Sequence, residues 1–133
     1  MGFIKQINVR SVLKGLLKMA IKYYPALDIK KKLTELIQNN GFHNVHPERI
    51  YCFRSTGSGS RRILARIWSF PKIWQQALYM EPRYVIEVLS ERFDKLSAEK
   101  QEEVLIHELK HIPKKFSGGL RKHDHKNPRS IRL

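Results

Sequence analysis

The sequence predicts an α+β domain with helices in its N-terminal third, a small three-stranded sheet in the middle and a chemistry-bearing helix near the C-terminus. Three observations predict it. Apolar residues recur at helical spacing between Leu13 and Ile37, and apolar or aromatic runs bounded by glycine and proline fill much of residues 49–89. Residues 97–111 then combine helix-start signals with the run His107-Glu108-Leu109-Lys110-His111. At 133 residues and 15.7 kDa the chain has single-domain size, read as one unit over 1–133 with a helical part over 1–41 and a sheet and metal-site part over 49–133.

The first helix is drawn from Leu13, Leu16, Leu17, Ala20, Ile21 and Tyr24, with Lys14, Lys18 and Lys22 on the opposite stripe. Such a basic amphipathic helix is expected to pack on the domain, although the same pattern suits a membrane surface. Pro25 interrupts it, and a second helix carries Ile29, Leu33, Leu36 and Ile37 and stops near Gly41. Residues 49–55 and 62–70 read as strands joined by a glycine-serine loop over 56–60. That loop lacks the Lys-Ser/Thr ending and the following helix of a phosphate-binding loop, so it reads as a connection. Pro71 opens a short turn or helix in which Trp74 and Leu78 are expected to anchor the core. Tyr84–Leu89 is the third strand, leading by a short turn into the last helix.

That last helix starts well. Ser97 stands at an N-cap position, acidic residues follow in the first turn where the helix dipole favours them, and an apolar run continues to Ile106 before Pro113 closes the segment. Residues four apart stack on one helix face, so His107 and His111 can put two ring nitrogens on one Zn²⁺ while Glu108 reaches a zinc-activated water as general base. Lys110 is expected on the outer face. A catalytic zinc site needs a third protein ligand and an open fourth position. Beyond Pro113, Gly118 and Gly119 supply a turn that can fold the chain back, which makes His123 or His125 the candidate third ligand; Asp124 more plausibly orients a histidine. A strand followed by a metal-bearing helix is the arrangement of a minimal zincin-like domain. The exposed edge of a strand beside the metal would take an extended peptide as an added strand. Arg121 and Tyr84 are conceivable partners for a developing oxyanion, but the sequence assigns neither.

These residues resemble a known group. From Tyr84 to about His125 the chain is similar to metallopeptidases of archaea and their viruses, related to the phage metallopeptidase family and more distantly to SprT-like zinc proteins. The matching pieces are Tyr84-Val85-Ile86-Glu87-Val88-Leu89, Phe93-Asp94-Lys95-Leu96-Ser97, His107 to Pro113, and Ser117-Gly118-Gly119-Leu120-Arg121-Lys122-His123-Asp124. The resemblance implies His107, His111 and His123 as zinc ligands and Glu108 as general base, in a hydrolase acting on proteins or peptides. It also implies an archaeal or viral setting.

Charge is the other strong signal. Twenty-six Lys and Arg against twelve Asp and Glu give +14, and residues 110–133 hold eight basic residues against Asp124 alone. Such a surface favours polyanions, so non-specific DNA or RNA is a candidate additional partner beside the plainer reading of a solvated basic face. The competing function is accordingly a basic nucleic-acid-binding or regulatory protein whose zinc site is structural or inactive. The single cysteine, Cys52, excludes an intramolecular disulfide and sits in an Ile50-Tyr51-Cys52-Phe53 run that reads as a buried strand rather than a nucleophile. No apolar stretch spans a membrane and no secretory signal is evident, so a cytoplasmic location is expected, the host cytoplasm for a viral protein.

Overall fold

The computed structural model describes residues 8–122. In chain order it contains α1 (Val9–Met19), β1 (Lys22–Pro25), α2 (Leu27–Asn39), a 3-10 turn (Pro47–Arg49), β2 (Ile50–Thr56) and β3 (Ala65–Trp68). It continues through α3 (Lys72–Leu78), β4 (Tyr84–Leu89), the single-turn α4 (Ser90–Phe93) and α5 (Ala98–Leu109).

One four-stranded sheet has the order β1-β2-β4-β3. β2 and β4 run parallel, while β1 pairs antiparallel with β2 and β3 antiparallel with β4. The sheet therefore has four strands rather than the predicted three, and the extra strand falls inside the part read as helical. Tyr23 and Tyr24 carry high strand propensity, and Pro25, which has no N–H to give, is tolerated on an edge strand. The helix before them ends at Met19. β4 has neighbours on both sides; the sheet edge next to α5 belongs to β3.

The core lies between one sheet face and the helices α2 and α5. Ile29, Leu33, Leu36 and Ile37 from α2 meet Val104, Leu105 and Leu109 from α5 over Ile50, Cys52, Tyr84, Ile86 and Val88 of the sheet, with Phe93 of α4 inserted beside them. At roughly 1.5–3 kcal/mol for each fully buried large apolar side chain, this cluster supplies the main drive to fold. Burial pushes the Cys52 thiol up to about 11, so it stays protonated and unreactive near neutral pH. Arg54 ties β2 to two other segments by bonding both oxygens of Asp28 at 2.6 and 2.8 Å and reaching Asp94 at 3.1–3.2 Å.

Two packing expectations do not hold. Trp74 and Leu78 are half-exposed rather than core anchors, because the seven-residue α3 is held through Gln75 instead: its Nε2 donates to Phe70 O and Ser117 O, each at 2.8 Å. Of the apolar stripe drawn for the first helix, Leu13, Ile21 and Tyr24 are exposed, so these positions are not packed on the domain as expected.

Candidate metal centre

α5 begins as its sequence requires. Ser97 caps it, accepting a hydrogen bond from the Lys100 N–H at 3.2 Å, and Glu99 occupies the first turn. The helix buries Val104, Leu105 and Leu109 and leaves Lys110 exposed, as expected. Its far end tightens: the N–H of His111 bonds Glu108 O and that of Ile112 bonds Leu109 O, both at 3.1 Å and three residues apart. Pro113 has no N–H with which to continue. His107 thus stands in the last helical turn and His111 two residues past the helix end at Leu109, whereas the sequence predicts both histidines on the helix.

Despite that tightening, the two rings converge. Their centroids are 5.1 Å apart at 83°. Two imidazoles bound tetrahedrally to one zinc at about 2.0–2.1 Å per nitrogen place their ring centroids about 5 Å apart, so the pair fits that metal. The tautomer of His111 is also set. Its Nδ1 lies 2.9 Å from the Arg121 carbonyl oxygen, and since a carbonyl can only accept, Nδ1 carries the proton, which in the neutral ring leaves the lone pair on Nε2.

The carbonyl that does this belongs to a folded-back turn. The Tyr84 hydroxyl, on a side chain that is fully buried, accepts from Gly118 N at 2.9 Å and donates to Gly119 O at 2.7 Å. Burial raises the pKa of this hydroxyl and keeps it protonated. The Phe70 N–H donates to Gly118 O at 2.7 Å, and the Arg121 N–H donates to His111 O at 2.6 Å. Gly118 is required where it stands: its φ is +90°, and a Cβ there would lie 2.3 Å from Phe70 O. Tyr84, considered above for an oxyanion, is therefore a positioning residue whose hydroxyl is committed to the turn. Arg121 contributes through its backbone. Neither role was visible in the sequence beyond the paired glycines, because Tyr84 and Gly118 are 34 residues apart.

Glu108 is 6 % exposed, and burial pushes its carboxyl up to about 7 against the opposing hydrogen bond from the Ile67 backbone. Ile67 lies on edge strand β3, so the carboxyl sits where helix end and sheet edge meet. On the histidine side, a cleft of about 470 Å³ is lined by Phe42, Asn44, His107 and His111 and rimmed by Lys110, Lys114, Arg121 and Lys122. The remaining predicted site residues, His123 with Asp124 and His125, lie outside the described residues. Among the described residues no group of three or more His, Cys, Asp or Glu is gathered as a metal site, in keeping with only two of the predicted ligands falling within 8–122.

Among protein families, residues 21–128 match the model described as Putative phage metallopeptidase. No curated protein and no solved structure matches the chain.

Proposed function

The chain belongs to the Putative phage metallopeptidase family, and on that premise we propose that it is a zinc-dependent peptidase of zincin-like build in which His107, His111 and His123 hold the metal and Glu108 is the general base. Membership implies a metal cofactor and a protein or peptide substrate. The observation that carries the assignment is the 5.1 Å spacing of the His107 and His111 rings together with the bond from His111 Nδ1 to Arg121.

Zinc, when bound, supplies the Lewis acidity that activates water and polarises the scissile carbonyl. The residues of the chain do the rest. His111 offers Nε2 because Nδ1–H is committed to a carbonyl. Glu108, with its carboxyl raised toward 7, is suited to take a proton from the attacking water and return it to the departing amine, since a general base works best with a pKa near the operating pH. β3 is an edge strand among the described residues, and its outer edge, apart from the Ile67 group bonded to Glu108, suits an extended substrate pairing as an added strand. His123 follows Arg121 by two residues, a reach of about 7 Å, which favours it over the more distant His125.

The test is hydrolysis of unfolded protein and of a fluorogenic peptide library before chelation, after it, and after zinc is restored. Activity that disappears with the metal and returns with it supports the reading; hydrolysis that survives complete metal removal contradicts it. The +14 charge favours a second reading, a basic nucleic-acid-binding or regulatory protein with a structural zinc closed by both His123 and His125. Four protein ligands on zinc and no hydrolysis would select it. Charge and peptidase are also compatible in an enzyme that works near DNA or RNA, in the cytoplasm of a host if the protein is viral.

A further inference from the structure

The sheet has a second face, turned away from α2 and α5. Side chains alternate along a strand, so with Tyr84, Ile86 and Val88 in the core, Val85, Glu87 and Leu89 point the other way. Strand register extends this face in rows. Tyr51, Val85 and Trp68 lie side by side, and Phe53, Glu87 and Arg66 form the next row. Tyr23 joins through its pairing with Ser55. Three of these rings are open to solvent: Tyr23 is 52 % exposed, Tyr51 43 % and Trp68 48 %.

Two of the rings, Tyr51 and Trp68, are held in place. Trp68 Nε1 donates to Glu87 at 2.8 Å, and Ser55 Oγ donates to the other carboxylate oxygen at 2.5 Å. Arg66 pairs with the same carboxylate at 3.5 Å. Just before β4, Arg83 donates to the Tyr51 hydroxyl at 2.8 Å, its guanidinium carbon 6.0 Å from the ring centroid. Glu87 is the only acidic residue in the four strands, and it is 1 % exposed and ion-paired. The face therefore presents fixed aromatic rings beside arginines, with no exposed carboxylate from any strand, on a chain of net charge +14.

We propose that this face binds single-stranded nucleic acid, with bases stacked on Tyr51 and Trp68 and phosphates drawn to Arg66 and Arg83. Unpaired bases offer the flat surfaces that exposed rings stack on, whereas a duplex hides them. Strand spacing sets Tyr51 and Trp68 about 10 Å apart, so that each serves its own base. The inference rests on the reading that the positive charge serves a polyanion. It does not depend on catalysis, because α5 packs on the opposite face.

In a Trp74→Phe background Trp68 is the remaining tryptophan, and its emission reports directly on this face. Oligo(dT) and oligo(U) are expected to quench it and to bind about tenfold or more tightly than a duplex of equal length. Read by the anisotropy of a labelled oligonucleotide, Tyr51→Ala and Trp68→Leu, each with Trp74 intact, should weaken binding about fivefold or more, and Trp68→Phe, which keeps a ring, should lose less. Melting curves and zinc content serve as folding controls; if Trp68→Leu does not fold, the quench and the Trp68→Phe and Tyr51→Ala variants carry the test. Wild-type affinity in the ring variants, with loss on neutralising Lys114, Lys115, Arg121 and Lys122, would overturn this face while leaving nucleic-acid binding at the cleft rim. Absence of binding at low salt would overturn both. Self-association that Trp68→Leu abolishes, without oligonucleotide binding, would give the face to a second copy of the chain and overturn the proposal.

Discussion

His111 and Arg121 are joined twice: the His111 ring donates from Nδ1 to the Arg121 carbonyl oxygen at 2.9 Å, and the Arg121 N–H donates to the His111 carbonyl oxygen at 2.6 Å. One contact sets the imidazole's tautomer and the other holds the strand of backbone that delivers it. Because both run through the main chain of Arg121, its side chain is free to be replaced.

A pair of substitutions separates these roles. Arg121→Ala keeps the backbone contacts and should leave zinc affinity within a few-fold of wild type. Arg121→Pro removes the N–H and should weaken it by roughly 10–100-fold, the usual cost of losing a partner that orients a ligand. Competition titration against a zinc chelator measures both, and equal affinities would show that the Arg121 N–H contact does not support the site.

Gly118 should be intolerant of any side chain. A Cβ there would lie 2.3 Å from Phe70 O and 2.4 Å from Gln75 Nε2 at a φ of +90°. Gly118→Ala is expected to cost about 1–3 kcal/mol in backbone strain and to weaken zinc binding as the turn shifts. Tyr84→Phe should cost about 1–3 kcal/mol by leaving the Gly118 N–H and the Gly119 carbonyl without their partner. Denaturant melts of both variants, with and without zinc, provide the check.

Stability of the metal-free protein should depend on pH through Glu108. Its folded carboxyl is raised from an ordinary 4.5 to about 7, so its favourable contribution is complete below the unfolded value and is lost as pH climbs through 7. Metal-free Glu108→Gln, which cannot ionise, should therefore be more stable than wild type at pH 8, by of order 2 kcal/mol, with the gap closing toward pH 4–5. Thermal melts across that range decide it; a gap that widens at low pH would contradict the burial of this carboxyl.

The last helix was legible because its signals are local: Ser97 caps it, Glu99 sits in its first turn, and Val104, Leu105 and Leu109 face the core at helical spacing. The second helix and strands β2, β3 and β4 were legible for the same reason. β1 was not, since Ile21 and Tyr24 continue the helical period of the preceding residues, and only pairing with β2 shows that Lys22–Pro25 is a strand. Exposure of Trp74 was equally hidden, because an aromatic residue in a short amphipathic segment reads as core until the packing of that segment is known. The bonds from Tyr84 to Gly118 and from Glu108 to Ile67 cross long stretches of chain, and no local pattern encodes them. The outer stripe of rings on the sheet emerges only from the register.

The choice of third ligand is testable without reference to catalysis. His123→Ala should reduce zinc affinity far more than His125→Ala, because the turn fixed at Arg121 gives His123 the shorter reach. Comparable losses would indicate a closed four-ligand site, and a larger loss at His125 would reverse the assignment.

The most direct measurement is the zinc content and peptidase turnover of Glu108→Gln, compared with wild type and His107→Ala. If the histidines hold the metal and Glu108 moves the proton, Glu108→Gln keeps about one zinc per chain and loses hydrolysis, while His107→Ala loses both. Loss of zinc in Glu108→Gln as complete as in His107→Ala, or hydrolysis at the wild-type rate with the carboxylate gone, would contradict that division of labour.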